Sequence, residues 1–154
     1  MNLIIKGLRA IGLQLAIVCG LALSGAPVQA AELAKDPVVK VVYHLSEGND
    51  QSSRALANIR NHLQADPSAK IIVVTHGDGI KFLLDGAQDR NGQSYDAPVA
   101  ALAGRGVEFK VCNNTLTARN IPANTVSMDA KIVPSGVAEV ARLQAREGYV
   151  YLHP

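Results

Sequence analysis

Cys112 is the residue of this sequence best suited to covalent chemistry, because it stands where a predicted strand gives way to a polar turn. The alternating apolar run GVEFKV (106–111) ends at this cysteine, and Asn113 and Asn114 follow at once. A thiol becomes a nucleophile when it loses its proton. The chain has two cysteines, and the other, Cys19, lies in an apolar run near the amino terminus. After that run, Cys112 has no cysteine with which to form a disulfide.

The residues around Cys112 favour its thiolate form. A short helix is predicted over residues 113–119, capped by one of its first three residues, so its first backbone N–H groups point towards the sulfur. Lys110 and Arg119 add a cation on either side. A helix amino terminus with a nearby cation can lower the pKa of a thiol from about 8.5 to neutrality or below. The alternative is a small side chain that only packs, and the sequence leaves both interpretations open.

Two further polar turns follow predicted strands and could supply binding groups. Glu47 follows the first strand, and His76 and Gly77 follow the second. His76 could act as a base or donate a hydrogen bond to a sulfur species on the cysteine. A tight turn with an incidental histidine is the alternative, because the glycine spacing lacks a phosphate-binding fingerprint. The predicted site has Cys112 as its catalytic residue and five binding residues: Glu47, His76, Gly77, Asn113 and Asn114.

The sequence contains no recognisable pattern for a metal or a cofactor. His62 and His153 fit no ligand spacing, so no metal is predicted. The loop at 85–96 begins and ends with Asp, but Arg90 stands where a calcium loop needs glycine. A hydrolase or an oxidoreductase is disfavoured, since a nucleophile elbow, a catalytic triad and a dinucleotide fingerprint are all missing. We expect no cofactor.

Alternating strands and helices must position these residues. Five apolar segments are predicted as strands, at 38–45, 70–75, 107–112, 131–133 and 149–152. Helical spacing predicts helices at 50–66, 97–103, 113–119 and 136–146, with a short amphipathic piece at 80–84. Strands joined by helices form a mostly parallel sheet, and ligands gather at the carboxyl ends of its strands. The predicted site residues end or follow strands, so we expect them at this edge.

The first thirty residues have the pattern of a secretory signal peptide. Lys6 and Arg9 precede an uncharged apolar run at 11–23, and small residues up to Ala30 suit a cleavage site. The run is too short to span a bilayer comfortably, so we expect 31–154 to be a single periplasmic or secreted domain with no membrane anchor. Removing two of the fifteen Lys and Arg residues leaves thirteen, which equals the number of Asp and Glu residues. A domain with no net charge lacks the excess of basic residues that is typical of nucleic-acid-binding proteins.

Four stretches carry a resemblance to a known family: VVYHL (41–45), VVTHGDGIKFLLDG (73–86), GVEFKVCNNTL (106–116) and IVPSGVAEVARLQAREGYVYLHP (132–154). Together they resemble the DsrE/DsrF-like family, particularly its small secreted branch, over nearly all of the chain after the leader. The resemblance implies a three-layer α/β/α sandwich with a mainly parallel five-stranded sheet, assembled as a homotrimer or hexamer. Characterised relatives are sulfur-relay proteins in which a cysteine accepts a persulfide and passes it on. By motif, Cys112 could correspond to that cysteine.

Two functions follow as expectations. The first is a periplasmic sulfur-handling protein, a persulfide or sulfane-sulfur carrier or a sulfurtransferase-like relay, which uses Cys112. Its partners would be a sulfur donor or acceptor protein or a small sulfur compound. The second is a non-catalytic oligomer that binds a small ligand or a partner, with Cys112 structural. Relay members work in the cytoplasm whereas the leader predicts export, so the resemblance implies the fold more directly than the activity. The segment 113–128 is either a flap over Cys112 or a subunit contact.

Overall fold

Segments rich in valine and isoleucine form the sheet at the centre of the molecule. The computed structural model describes residues 37–154, and the predicted signal peptide at 1–30 lies outside the described residues. The strands are β1 (Lys40–Leu45), β2 (Lys70–Thr75), β3 (Glu108–Cys112), β4 (Ala130–Val133) and β5 (Val150–Leu152). They lie in the order β4-β3-β2-β1-β5, and every pairing is parallel. The prediction of a mainly parallel five-stranded sheet is confirmed.

Four α-helices connect the strands: α1 (Asn49–Ala65), α2 (Asp96–Ala103), α3 (Asn113–Ala118) and α4 (Gly136–Glu147). The helices predicted at 50–66, 97–103 and 136–146 differ from α1, α2 and α4 by at most one residue at either end, whereas α3 begins earlier than its predicted caps imply. The amphipathic piece predicted at 80–84 overlaps a 3₁₀ turn that begins earlier, Gly77–Leu83, and a second 3₁₀ turn covers Ala123–Thr125. None of the helices within residues 37–154 is long and apolar enough to cross a bilayer.

The helices cover both faces of the sheet, which produces three layers. α1 and α2 pack on one face, in a larger core that includes Ile59, Phe82 and Phe109. α4 packs on the opposite face, where Val140 and Leu143 cover valine and isoleucine side chains of β1 and β2. Burial of this apolar surface stabilises the fold by roughly 25 cal/mol per Å². The predicted α/β/α sandwich is confirmed.

The start of α4 is determined by the residues that follow β4. Ser135 occupies the N-cap, and its Oγ accepts a hydrogen bond from the N–H of Ala138 over 3.4 Å. Val140 and Leu143 then recur at helical spacing and turn one side of the helix towards the sheet. Because the cap comes directly after β4, the first turn of α4 lies at the carboxyl edge of the sheet.

The chain leaves β3 and β4 towards opposite faces of the sheet. After β3, α3 turns towards the larger core, in which Leu116 is buried. After β4, α4 turns towards the other face. Adjacent parallel strands whose connections diverge leave a crevice between their carboxyl ends, and ligands of open α/β sheets bind in such crevices. Cys112, the last residue of β3, lies at this crevice.

The connection between β3 and β4 packs partly against the larger core. Leu116 is buried there, and Ile121 and Val126 pack against it. Val126 also forms an isolated antiparallel bridge with Leu84. Met128 is 96 % exposed. Three of the apolar side chains in segment 113–128 therefore belong to the core, and one points into solvent.

Candidate functional site

Cys112 joins the end of β3 to the start of α3. It occupies the N-cap position of α3, with φ −71° and ψ 114°, so the helix begins directly after it. Two residues earlier, Lys110 bonds Glu139 of α4, and alternation along the strand puts the cysteine on the same face. The side chain of Cys112 is only 4 % exposed. The sulfur is therefore covered, at the edge of the layer that α4 forms.

Gly136, the first residue of α4, lies against Cys112. Val133, at the end of β4, pairs with Cys112, and α4 begins three residues later. A Cβ atom on Gly136 would lie 3.0 Å from the carbonyl oxygen of Thr75, 3.2 Å from Cβ of Cys112 and 3.3 Å from Cβ of His76. These distances are shorter than ordinary van der Waals contacts, so a residue without a side chain is what permits the approach. At this close approach the backbone N–H of Gly136 helps to lower the pKa of the Cys112 thiol.

Donor groups on three residues favour the anionic form of the sulfur. Burial raises the pKa of the Cys112 thiol, because a buried charge loses its hydration. The N–H of Gly136, the hydroxyl and N–H of Thr115 and the N–H of Asn114 together outweigh burial, and the net pKa is lowered. The neutral thiol makes no regular capping hydrogen bond to α3, so these groups act mainly on the charge that forms on deprotonation. The arrangement can hold a thiolate or a negatively charged sulfur adduct.

Two expectations about this environment are wrong. The cap predicted within residues 113–115 is Cys112 itself. The two flanking cations are engaged elsewhere, since Nζ of Lys110 donates to Glu139 over 2.7 Å and Arg119 donates to Asp78 over 2.5 Å. Backbone N–H groups and one hydroxyl, and not these cations, lower the pKa of the thiol.

His76 follows β2 and borders Cys112 on the neighbouring strand. Its ring centroid lies 4.8 Å from that of His44 on β1. Nδ1 of His44 shares a 2.8 Å hydrogen bond with the hydroxyl of Tyr151 on β5, whereas its Nε2 is buried and has no partner within residues 37–154. Burial lowers the pKa of His44, and the nearby imidazoles of His76 and His153 lower it further. His44 therefore favours the neutral imidazole, and it lies on β1, two strands away from Cys112.

Gly77 and the start of α3 are tied together beside the cysteine. Gly77 has φ +55°, and its N–H donates to Oγ of Thr115 over 3.1 Å. The N–H of Asn114 donates to the carbonyl oxygen of Pro134 over 3.3 Å, which links α3 to the loop before α4. The side chains of Asn113 and Asn114 are exposed. Asn114 thus contributes through its backbone more than through its amide.

Glu47 is the predicted binding residue that lies apart from the others. It follows β1, which is separated from β3 by β2, and its side chain is exposed. Its backbone N–H donates to Oε1 of Gln51 in α1 over 2.8 Å. Glu47 therefore borders the amino terminus of α1, whereas His76, Gly77 and Asn114 lie around Cys112.

Thr115 and Gly136 carry no chemical motif, and sequence reasoning misses both. One signal pointed to Gly136, because Pro134 and Ser135 mark a helix start directly after a strand. Using that signal requires the strand order, which brings β4 beside β3. The sequence identifies Thr115 only as one of three possible N-cap residues for the short helix after β3.

Two of the three histidines at this edge of the sheet, His44 and His153, hydrogen-bond to residues of neighbouring elements, and the ring of His76 lies beside that of His44. The ring of His153 lies 6.1 Å from that of His44, and its Nε2 is 3.0 Å from the amide nitrogen of Gln51. Among residues 37–154, no group of three or more His, Cys, Asp or Glu side chains converges to hold a metal ion. The cluster instead connects β1, β5 and α1.

Comparisons with known proteins identify relatives of this chain. The model of the DsrE/DsrF-like family matches residues 36–154. The solved structure of MTH1491, a protein of unknown function from Methanobacterium thermoautotrophicum, is similar with a TM-score of 0.67 and 29 % identity, over 75 % of this chain and 99 % of that one. The crystal structure of the YchN protein from E. coli is similar in fold, with a TM-score of 0.60 and 14 % identity over 76 % of this chain and 98 % of that one. The comparison with curated proteins gives no match.

Proposed function

This chain belongs to the DsrE/DsrF-like family, and from that premise we propose that it carries sulfane sulfur as a persulfide on Cys112. One observation carries the proposal. The sulfur lies at the crevice between the ends of β3 and β4, where groups on Thr115 and Gly136 help to lower its pKa although it is buried. Donors directed at a sulfur stabilise a thiolate or a persulfide anion, and they contribute little to a thiol that only packs.

Sulfur transfer by this cysteine balances without an external oxidant or reductant. The thiolate of Cys112 attacks the outer sulfur of a donor persulfide, R–S–SH. A new S–S bond forms on Cys112, the S–S bond of the donor breaks, and the donor leaves as a thiolate with the bonding electron pair. His76, which borders Cys112, is the base or hydrogen-bond donor for the transferred sulfur. Attack by an acceptor thiolate on the outer sulfur then repeats the same step in the opposite direction.

The burial of Cys112 implies a gated carrier. The side chain is 4 % exposed, so a donor reaches it only when the first turn of α3 or of α4 moves. α3 has six residues, and its amino-terminal turn is held by the bonds from Gly77 to Thr115 and from Asn114 to Pro134. A short surface helix opens at a lower free energy than the central strands of a sheet. A partner that displaces α3 would therefore control the exchange of sulfur.

Persulfidation of Cys112 can be measured directly. After incubation with polysulfide, thiosulfate or a protein persulfide, mass spectrometry of the intact protein should show a gain of one or more sulfur atoms, which reduction removes. Cys112→Ser should gain none, and His62→Gln, which alters a histidine on α1, should behave like the wild type. Absence of any gain with all three donor classes would reject the carrier function.

The burial of the cysteine also supports a second candidate, a non-catalytic module that binds a small ligand or a partner protein. In that case Cys112 is a packing residue, and the polar groups around it only stabilise the first turn of α3. Alkylation of the native protein by iodoacetamide would then stay slow at every pH. Cys112→Ser would retain ligand or partner binding, whereas a carrier loses its function with the sulfur.

We further propose that the protein is periplasmic or secreted and acts as a homotrimer or hexamer. The leader pattern at 1–30 supports export. Exposed apolar side chains on the two edge strands, Ile132 on β4 and Val150 and Leu152 on β5, support assembly, because unpaired apolar edges favour association. Amino-terminal sequencing of the mature protein tests the first statement, and light scattering in solution tests the second.

A further inference from the structure

The carboxyl-terminal strand β5 is held by few interactions. It has three residues, lies at an edge of the sheet, and all three side chains are exposed. It pairs with residues 41–43 of β1. Two side-chain links add to this pairing, one between Tyr151 and His44 and one between His153 and Gln51. These two links supplement the three-residue backbone pairing that joins β5 to β1.

The amide of Gln51 has one orientation that satisfies its neighbours. Its Oε1 accepts hydrogen bonds from the backbone N–H of Ser46 over 2.9 Å and of Glu47 over 2.8 Å. The amide nitrogen consequently faces the end of the chain, 3.0 Å from Nε2 of His153 and 3.4 Å from the carbonyl oxygen of Pro154. Gln51 is 0 % exposed, so its N–H groups depend on these partners.

This orientation determines the protonation state of His153 in the closed arrangement. An amide nitrogen only donates, so Nε2 of His153 must accept. An imidazole nitrogen accepts only when it carries no proton, and the closed form therefore contains a neutral His153 with its proton on Nδ1. Protonation converts Nε2 into a donor that faces the N–H of Gln51. The link then becomes repulsive, and the buried amide loses a partner.

We propose that protonation of His153 releases β5 and the residues that follow it, which makes this end of the chain an acid-sensitive latch. Histidine is the side chain whose charge changes between about pH 5 and pH 8. Because the closed form requires a neutral imidazole, the fraction of open molecules rises as the pH falls through this range. The latch acts whether or not Cys112 carries sulfur.

The second link does not respond to protons in the same way. A tyrosine hydroxyl both donates and accepts, so Tyr151 can bond Nδ1 of His44 in either protonation state. Burial, together with the imidazoles of His76 and His153, lowers the pKa of His44, so this ring resists protonation as the pH falls. The acid response therefore depends on His153.

Of the titratable and charged groups in this region, His44 faces the ring of His153, and His76 and Tyr151 in turn contact His44. Glu47 and Asp50 are exposed carboxylates next to the start of α1, the helix that carries Gln51. Asp50 is paired with Arg90 at the start of α1. A positive charge on His153 would arise beside the uncharged ring of His44, 6.1 Å away between centroids.

Release of β5 would leave the outer edge of β1 unpaired. The backbone N–H and C=O groups of residues 41–43 would become available to another strand. Unpaired strand edges accept strands from other chains. The latch would thus couple acidification to association at this edge.

Hydrogen exchange of single backbone amides, corrected for intrinsic rates, tests the latch. Protection of the amides of Val150–Leu152 should fall by about tenfold or more between pH 7.5 and pH 5.5, whereas the amides of Ile72–Val74 on β2 stay protected. His153→Gln keeps an acceptor that does not titrate, so its protection should be independent of pH in this range. His62→Gln, which changes the histidine bonded to Tyr43, should behave like the wild type.

Two results would overturn the latch. One is an identical pH profile in the wild type and His153→Gln, including the case in which neither loses protection. The other is a simultaneous loss at β2, because that would indicate unfolding of the whole domain. Neither result bears on persulfidation of Cys112, which the mass measurement tests separately.

Discussion

The backbone N–H of Gly77 donates a hydrogen bond to Oγ of Thr115 over 3.1 Å. Gly77 belongs to the turn after β2, and Thr115 belongs to the first turn of α3, so the bond joins two segments that border Cys112. Because the oxygen of Thr115 accepts from Gly77, its hydroxyl hydrogen can point to the sulfur, where it lowers the pKa of the thiol. Gly77 has φ +55°, a backbone conformation that glycine adopts without strain. The turn thereby orients a hydroxyl that α3 alone would leave free to rotate.

Thr115→Val should make Cys112 less reactive at neutral pH. Valine has nearly the same shape but no hydroxyl, so the thiolate loses one donor and the pKa of Cys112 rises. Since a hydrogen bond to a charged group contributes roughly 1.5–3 kcal/mol, alkylation by iodoacetamide at pH 7 should slow by on the order of tenfold. The midpoint of the rate against pH should also move to higher pH.

Thr115→Ser and Thr117→Val are the matched controls for this experiment. Serine keeps the hydroxyl, so its alkylation profile should stay close to that of the wild type. Thr117 lies two residues further along α3 with an exposed side chain, and its replacement makes the same chemical change away from the sulfur. An equal shift in Thr115→Val and Thr117→Val would show that the stability of α3, and not the hydroxyl, sets the reactivity.

Gly136→Ala should disturb both the stability of the domain and the thiol. The new methyl group would meet the carbonyl oxygen of Thr75 at 3.0 Å and Cβ of Cys112 at 3.2 Å, so the first turn of α4 must shift. Overpacking of this kind costs roughly 1–3 kcal/mol in the free energy of unfolding. The displaced N–H of Gly136 should also raise the pKa of Cys112. Urea denaturation measures the first effect, and alkylation against pH measures the second.

Gly104→Ala provides the control for Gly136→Ala. Gly104 ends α2 with φ −61°, and an added methyl group would lie 3.4 Å from its nearest neighbour, the carbonyl oxygen of Ala100. Alanine fits this conformation, so the free energy of unfolding should be unchanged or higher by up to about 1 kcal/mol. If both glycine variants were equally stable and equally reactive, the close approach of α4 to Cys112 would affect neither the stability of the domain nor the pKa of the thiol.

The position of Cys112 at the carboxyl edge could be predicted because it depends on local patterns. Alternating apolar residues identify β3, and the polar residues after Cys112 end the strand. The segment 70–75 is apolar at nearly every position, which indicates a strand covered on both faces and hence a parallel sheet. These signals lie within a few residues of the features that they predict.

The neighbours of Cys112 could not be predicted because they depend on strand order. Gly136 lies 24 positions after Cys112 in the sequence and reaches it only because β4 lies beside β3. Because the sequence does not give the strand order, Lys110 and Arg119 look like partners of the sulfur. Their true partners, Glu139 and Asp78, come from distant segments whose approach no local pattern encodes.

Lys110→Met should destabilise the domain more than the same change at an exposed lysine. Lys110 is 8 % exposed, and its Nζ lies 2.7 Å from a carboxylate oxygen of Glu139. Removing it leaves a largely buried carboxylate with one partner fewer, at a cost of about 1–3 kcal/mol. Lys131→Met removes only an exposed pair with Glu108, 3.7 Å apart, and should change stability by less than about 0.5 kcal/mol. Equal losses in urea denaturation would contradict the role of Lys110.

The decrease in the free energy of unfolding at acidic pH should depend on Glu139. Hydrogen bonds from Arg142 lower the pKa of Glu139, and although burial opposes them, Lys110 lowers the pKa further. The pKa falls from an ordinary 4.5 to about 2. A carboxyl group whose pKa is lower in the folded than in the unfolded protein stabilises the fold above its unfolded pKa. That contribution is lost as the pH falls from about 4.5 towards 2. Because Arg142 is partly exposed and solvent screens the pair, we expect the contribution to be about 1–2 kcal/mol.

Glu139→Gln removes this titrating group and should flatten the dependence of stability on pH. Between about pH 5 and pH 2, the free energy of unfolding of the wild type should fall by about 1–2 kcal/mol more than that of the variant. Urea denaturation at a series of pH values measures the difference. Glu108→Gln is the control, because Glu108 is exposed and lies 3.9 Å from Nζ of Lys110, so it should keep the slope of the wild type. A wild-type slope in Glu139→Gln would mean that other carboxylates govern acid unfolding.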